Sequence, residues 1–171
     1  MPVVKPLIIG TDGTPQEYTP LTESAGASSS GEIPALDASG RLPSTMLPEG
    51  VGSDAIAVQA SEALTGGAFV NLWADGGNIR VRLADNSNNR PADGFVLTAA
   101  AANTSVLVYP FGEINSASTG LTVGTEYFLG AAGQVTASVP TAAGAIIQKL
   151  GKSRSATELL TRSYPPIRRA S

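Results

Sequence analysis

From about Asp54 onward, apolar side chains come in short runs with a period of two, interrupted by Gly, Asn and Asp. Ile79-Arg-Val-Arg-Leu83 alternates without a break, with Ile79, Val81 and Leu83 on one face and Arg80 and Arg82 on the other. Ala68–Trp73 precedes it, and Asp75-Gly76-Gly77-Asn78 supplies the turn between them. Further predicted strands are Ala55–Ala60, Gly94–Thr98, Ser105–Tyr109, Glu126–Leu129, Gln134–Val139, Ala145–Leu150 and Glu158–Arg162, with Ala131-Ala-Gly133 as a tight hairpin loop. Ala99–Ala102 is long enough for a single helical turn. No internal repeat of fixed period is present, which counts against a solenoid or a repetitive shaft. The pattern predicts a mainly β protein, a small antiparallel β-barrel or sandwich.

The first third reads differently. Seven of the twelve prolines fall in residues 1–50, together with the run Ala25-Gly-Ala-Ser-Ser-Ser-Gly31. In Gly31–Pro48 the apolar residues Ile33, Leu36, Leu42, Met46 and Leu47 sit among prolines and glycines that forbid a continuous helix or a central strand. Such a segment has anchors but no means of closing a core around them, so it needs a partner surface. The expected organisation is a long extended N-terminal arm (1–53), an antiparallel β domain (54–163) and a basic C-terminal tail (164–171). The arm has two sticky stretches, Val3–Ile9 and Ile33–Leu47.

Composition narrows the function. The 171 residues are 42% apolar but only 5% aromatic, so the core is thin and association is expected to supply part of the stability. Without cysteine there is no disulfide framework and no thiolate, and without histidine the commonest general base and metal ligand are missing. The start Met-Pro-Val-Val-Lys-Pro lacks a signal-peptide pattern, and no apolar stretch approaches the roughly 20 residues of a membrane span. A soluble product of a cytoplasm, with no membrane partner, is expected. The net charge of −3 conceals an asymmetry: residues 1–148 carry five basic and thirteen acidic side chains, residues 149–171 six basic and one acidic. A basic end on an acidic body suits electrostatic docking on an acidic neighbour, with Arg168 and Arg169 as the candidate contacts.

The chemical motifs fail on spacing. Gly151-Lys152-Ser153 lacks the phosphate-loop glycine five residues before Gly151, where Ile146 stands, and is expected to be a β-turn with an exposed lysine. Asp85-Asn-Ser-Asn-Asn89 begins like a calcium loop, but Arg90 and Val96 stand where a glycine and a bidentate acid are needed. An Asn-rich turn is the better account, with a shared ion at a subunit interface left open. Asn103-Thr-Ser105 fits a glycosylation pattern without the secretory context it requires. The acids of the β region sit beside Gly or Asn in predicted turns, where carboxylates bond local amides. Arg80, Arg82 and Arg90 form a small basic patch without the interleaved aromatics of a nucleic-acid site, so no specific nucleic-acid binding is expected. No catalytic, cofactor or metal residues are assigned, and the protein is expected not to be an enzyme.

Two parts of the chain resemble tailed-bacteriophage virion proteins. The segment Gly31-Glu-Ile-Pro-Ala-Leu-Asp-Ala-Ser-Gly-Arg-Leu-Pro-Ser-Thr-Met-Leu-Pro48 looks like a connector found in phage fibres and head-decoration proteins. Ala92–Leu97, Gly120–Gly130, Gly133–Thr136 and Ile147–Gly151 are similar to the small barrel of capsid decoration, or cement, proteins. The resemblance implies a homotrimer on the outer surface of the virion, clamping the major capsid protein lattice. Ile33, Leu36, Leu42, Met46 and Leu47 would then contact sister subunits or the capsid. The arm, nearly a third of the chain, is longer than in many cement proteins. That keeps a second reading: a tail fibre, spike or head fibre binding a host surface receptor, with the loops around Trp73–Asn78 and Asn86–Asn89 presented outward.

Overall fold

The computed structural model describes residues 7–22, 25–36, 40–42, 46 and 54–170. The chain divides into two compact units, Met1–Gly52 and Ser53–Ser171.

In the first unit, β1 (Leu7–Ile9) and β2 (Pro15–Glu17) form an antiparallel hairpin pairing Leu7 with Glu17 and Ile9 with Pro15. Its turn is closed by the Gly10 N–H on the Thr14 carbonyl at 2.8 Å and by the Asp12 carboxylate, which accepts from the Thr14 amide at 3.0 Å and hydroxyl at 2.8 Å. Those two donors hold the Asp12 carboxyl below its ordinary value. After a 3₁₀ turn at Gly26–Ser29, a parallel bridge joins Leu21 to Pro34 through Leu21 N to Ile33 O (2.9 Å) and Ala35 N to Leu21 O (2.7 Å). The segment expected to be extended thus carries short local pairings. The hairpin has three residues to a strand and the bridge is a single pair, and they enclose no core among the described residues, since Leu7 and Ile9 are 69% and 71% exposed.

The second unit holds the other twelve strands of the described residues. Strands β3 (Ile56–Ala60), β4 (Phe69–Asp75), β5 (Asn78–Leu83), β6 (Gly94–Val96) and β7 (Ser105–Pro110) close a barrel in the order β3-β5-β4-β6-β7. Four of its pairings are antiparallel; β3 and β5 pair in parallel, Gln59 opposite Arg80 and Ala60 opposite Val81. The β4–β5 turn has Gly76 at φ 59° and Gly77 at φ 85°, the left-handed pair that a tight hairpin needs and that only glycine adopts freely. A second, five-stranded sheet contains β8 (Ile114–Asn115), β9 (Glu126–Leu129), β10 (Val135–Thr136), β12 (Lys149–Ser153) and β13 (Leu159–Thr161) in the order β10-β9-β12-β13-β8. Between β10 and β12 lies β11 (Ile146–Ile147), which pairs with β14 (Ile167–Arg168).

Alternation along the barrel strands sorts side chains into two cores. Val58, Ala60, Val70, Val81, Val96, Val106 and Val108 fill the barrel, where small β-branched side chains suit a narrow interior. Their neighbours Phe69 and Phe95 point the other way, onto Tyr127, Leu129, Leu150 and Leu159 of the second sheet. Phe69 lies 5.9 Å from Phe95 and 6.1 Å from Phe111 between ring centroids, and Phe95 lies 5.6 Å from Tyr109. The few aromatics of the sequence are concentrated where barrel and sheet meet.

Several elements differ from the sequence expectation. The predicted strand 145–150 splits into β11 and β12 because Gln148 turns inward, fully buried. Its Nε2 donates to the Ala92 carbonyl and its Oε1 accepts from the Ala92 amide, both at 2.8 Å. Gly151-Lys152-Ser153 is not a turn: it lies within β12, with a register shift between Lys149 and Gly151. The backbone of β13 crosses so near Gly151 that the run continues as a bulged strand. The basic C-terminus is not a separate tail, because Ile167–Arg168 adds a strand to β11.

Asp85-Asn-Ser-Asn-Asn89 is the Asn-rich turn expected, closed by an Asp85–Arg90 bridge. Asp85 Oδ1 accepts from the Ser87 amide at 2.8 Å and hydroxyl at 2.6 Å, while Oδ2 accepts from the Ala132 amide at 3.0 Å, tying this turn to the β9–β10 hairpin. Burial pushes the Asp85 carboxyl up, but the bonds from Ser87 and Ala132, with the Arg90 charge, together hold it below its ordinary value. A carboxyl more acidic in the folded chain stabilises fully above its unfolded value, and that contribution is lost as the pH falls through the folded one. Asp85→Ala should therefore cost about 1–2 kcal/mol at neutral pH. It should also flatten the acid limb of the stability curve below about pH 4, read by urea titrations at several pH values.

Candidate functional site

The arm residues picked out from the sequence are placed as follows. Ile33, Leu36 and Leu42 are exposed, Met46 is half-buried, and Leu47 lies outside the described residues. Met46 lines a hollow of about 170 Å³ with Leu21, Ser29, Glu32 and Pro34, so it is drawn to the Leu21–Pro34 bridge. Tyr18 steadies the same region: its hydroxyl donates to Glu32 and accepts from the Ile33 amide at 3.1 Å. The hairpin adds Leu7 and Ile9, direct partners of Glu17 and Pro15 and so on one face with them. The sequence signal for these two was the sticky stretch Val3–Ile9, but nothing in it placed them side by side.

The structure also gathers cations that sequence reasoning did not single out. On the outer face of the five-stranded sheet, register sets Lys149 opposite Phe128, Lys152 opposite both Glu126 and Leu160, and Leu160 opposite Ile114. With Arg162 and Tyr164, four of these residues (Glu126, Lys149, Lys152 and Leu160) line a hollow of about 160 Å³. Lys149 Nζ contacts Glu126 Oε1 at 2.5 Å and stands 5.1 Å from the centre of the Tyr164 ring. Their hydrogen bond lowers the Glu126 carboxyl and raises the Lys149 ammonium. Linkage then gives this pair a window: the Glu126 contribution is lost as pH falls through its lowered value, the Lys149 contribution as pH rises through its raised one. The available signal was the basic composition of residues 149–171, but only the bulge in β12 fixes which cations share a face.

Arg168 and Arg169 lie elsewhere, exposed on the β11–β14 ribbon. Arg168 Nε donates to the Gly144 carbonyl at 3.4 Å, and the Arg169 amide to the Ala145 carbonyl at 2.9 Å.

The arginines of the expected basic patch are each engaged. Arg80 pairs with Asp75 at 3.3 Å and donates to Asn103 at 3.2 Å; Arg90 faces Glu62 at 3.7 Å. Arg82 Nε donates to Asn71 at 2.9 Å and its guanidinium lies 4.8 Å from the centre of the Trp73 ring. Asn71 in turn donates to Asp93 at 3.0 Å, whose Oδ2 also accepts the Leu72 amide at 2.8 Å. Glu62 accepts the Leu83 amide at 2.8 Å. Asp93 and Glu62 thus satisfy backbone amides distant in sequence rather than converging on a pocket. Among the described residues no group of three or more acids is arranged to hold a metal ion.

No family model and no curated protein matches the chain. Among solved structures it is similar to the N base of head fibre protein gp8.5 of bacteriophage phi29, at 14% identity and a TM-score of 0.42, over 65% of this chain and 95% of that one. At that distance the likeness carries no functional argument.

Proposed function

We propose that the protein is a structural component of a phage virion: a homotrimeric decoration protein on the outer surface of the capsid, where it binds the major capsid protein lattice and stabilises the head. One observation carries this reading. Among the described residues the N-terminal unit leaves Leu7, Ile9, Ile33, Leu36 and Leu42 exposed, and its short pairings enclose no core of their own. Isolated two-stranded hairpins are marginal in water, so these side chains are suited to be covered by other molecules. The connector-like segment Gly31–Pro48 supports the phage assignment by resemblance. An arm of about 50 residues reaches up to ~165 Å when extended, enough to span neighbouring subunits, and many modest contacts repeated across a lattice add up through effective concentration.

The test compares heads carrying the protein with heads stripped of it. Decorated particles should release their contents at a higher temperature, and Leu36→Asp/Leu42→Asp should abolish the gain by preventing retention on the head. Equal heat resistance of bare and decorated particles would refute the reading. Imaging of labelled protein on intact particles separates it from the fibre alternative, since a fibre sits at the tail or projects singly whereas a decoration protein covers the head.

A further inference from the structure

We propose that the outer face of the five-stranded sheet is the seat of the acidic N-terminal segment of a second copy of this chain. The inference deepens the assembly reading above and rests on it. The face has a definite chemistry: Lys149, Lys152 and Arg162 against one acid, Glu126, gathered around Leu160 and Tyr164. Lys149 is partly neutralised by Glu126 at 2.5 Å, which leaves Lys152 and Arg162 as the cations facing outward. Residues 1–52 carry six acids (Asp12, Glu17, Glu23, Glu32, Asp37 and Glu49) against two bases, Lys5 and Arg41. One region of the sequence is thus anionic where the sheet face is cationic.

The apolar chemistry matches as well as the charge. Among the described residues of the first unit, Leu7 and Ile9 are the most exposed large apolar side chains. The sheet face offers exposed Leu160 and Ile114, direct cross-strand partners, with half-buried Phe128 beyond them. An apolar centre rimmed by opposite charges is the usual anatomy of a protein interface, with the rim setting orientation and encounter rate. Here Lys152, on the middle strand, and Arg162 carry the charge, while Leu160 beside them and Ile114 on the edge strand β8 carry the apolar contact.

The test uses the full chain in solution, without particles. Zero-length carbodiimide coupling is applied at micromolar protein, covalent species are separated by mass, and linked peptides are mapped in each. Peptides joining Lys149 or Lys152 to carboxylates of residues 12–49 should occur in covalent dimers and trimers and be missing from the monomer. Lys152→Glu/Arg162→Glu should weaken self-association at least tenfold at 100 mM salt, as should raising wild-type salt to 500 mM, where screening shortens to a few ångströms. Trp73 fluorescence should be unchanged, showing that the domain still folds. Such peptides in the monomer alone would mean that the arm folds onto its own chain and would overturn the inference, as would their absence from every species. A protein that protects heads yet fails this test loses the inference and keeps the capsid reading; one that passes it but leaves heads unaltered does the reverse.

Discussion

Replacing Gln148 by alanine should destabilise the β domain by about 2–6 kcal/mol. That is the cost of leaving two buried backbone groups unpaired at 1–3 kcal/mol each. Gln148 is 2% exposed, and its amide reproduces a strand pairing: it donates to the Ala92 carbonyl and accepts from the Ala92 amide, both at 2.8 Å. Alanine leaves both Ala92 groups without partners in a site closed to water. Gln148→Glu retains the acceptor but sets a carboxylate oxygen against the Ala92 carbonyl. Burial raises that acid's value above its unfolded one, so its proton is taken up more readily in the folded chain and part of the lost stability should return as pH is lowered. Urea unfolding followed through Trp73, the sole tryptophan and a residue of the β domain, reports on this unit alone. Gln148→Ala within about 1 kcal/mol of wild type would show that water reaches Ala92.

Gly151→Ala should cost about 3 kcal/mol or more, at the upper end of what overpacking a folded interior produces. A Cβ there would stand 2.0 Å from the Leu160 carbonyl oxygen, 2.9 Å from its carbon and 3.0 Å from the Thr161 Cα. All three are backbone atoms, so no rotamer change relieves the contact. The strands must part, and the pairing of Gly151 with Thr161 and of Lys152 with Leu160 goes with them. The variant should therefore lose both stability and the cationic face. Val123→Ala is the control: 67% exposed and outside the strands, it should stay within about 0.5 kcal/mol.

These two positions show where the sequence was legible and where it was not. The barrel strands were readable because Val81 lies between Arg80 and Arg82, and because Ser105–Tyr109 is a short β-branched and apolar run bounded by turn residues. The Gly76-Gly77 turn was readable because it needs two left-handed residues in succession. Gly151 was misread as a turn because a glycine that permits a close backbone crossing looks, in one dimension, like a glycine that permits a bend. Gln148 looked like the polar side of a strand, because hydrophobic periodicity does not distinguish a solvated amide from one bonded to a backbone 56 residues away. The two-residue strands at Ile114–Asn115 and Ile167–Arg168 are too short for any period to register. The Asn71–Asp93 contact, which anchors Arg82, joins residues 22 apart that no local rule connects.

In the first fifty residues composition speaks in the opposite sense, through what it forbids. Prolines and glycines around Ile33, Leu36 and Leu42 pointed to side chains lacking walls, and all three are exposed. The hairpin at Leu7–Glu17 was missed, since Pro15 within a strand argues against pairing; here it sits at the end of a two-stranded ribbon.

The central claim is that this chain completes itself only in the company of other copies or of a capsid. Light scattering of the purified full chain at micromolar concentration tests it most directly. The account predicts a species of three 17.3 kDa chains, about 52 kDa, whose Leu7 and Ile9 amides are shielded from hydrogen exchange. A stable 17.3 kDa monomer with those residues equally protected would contradict it.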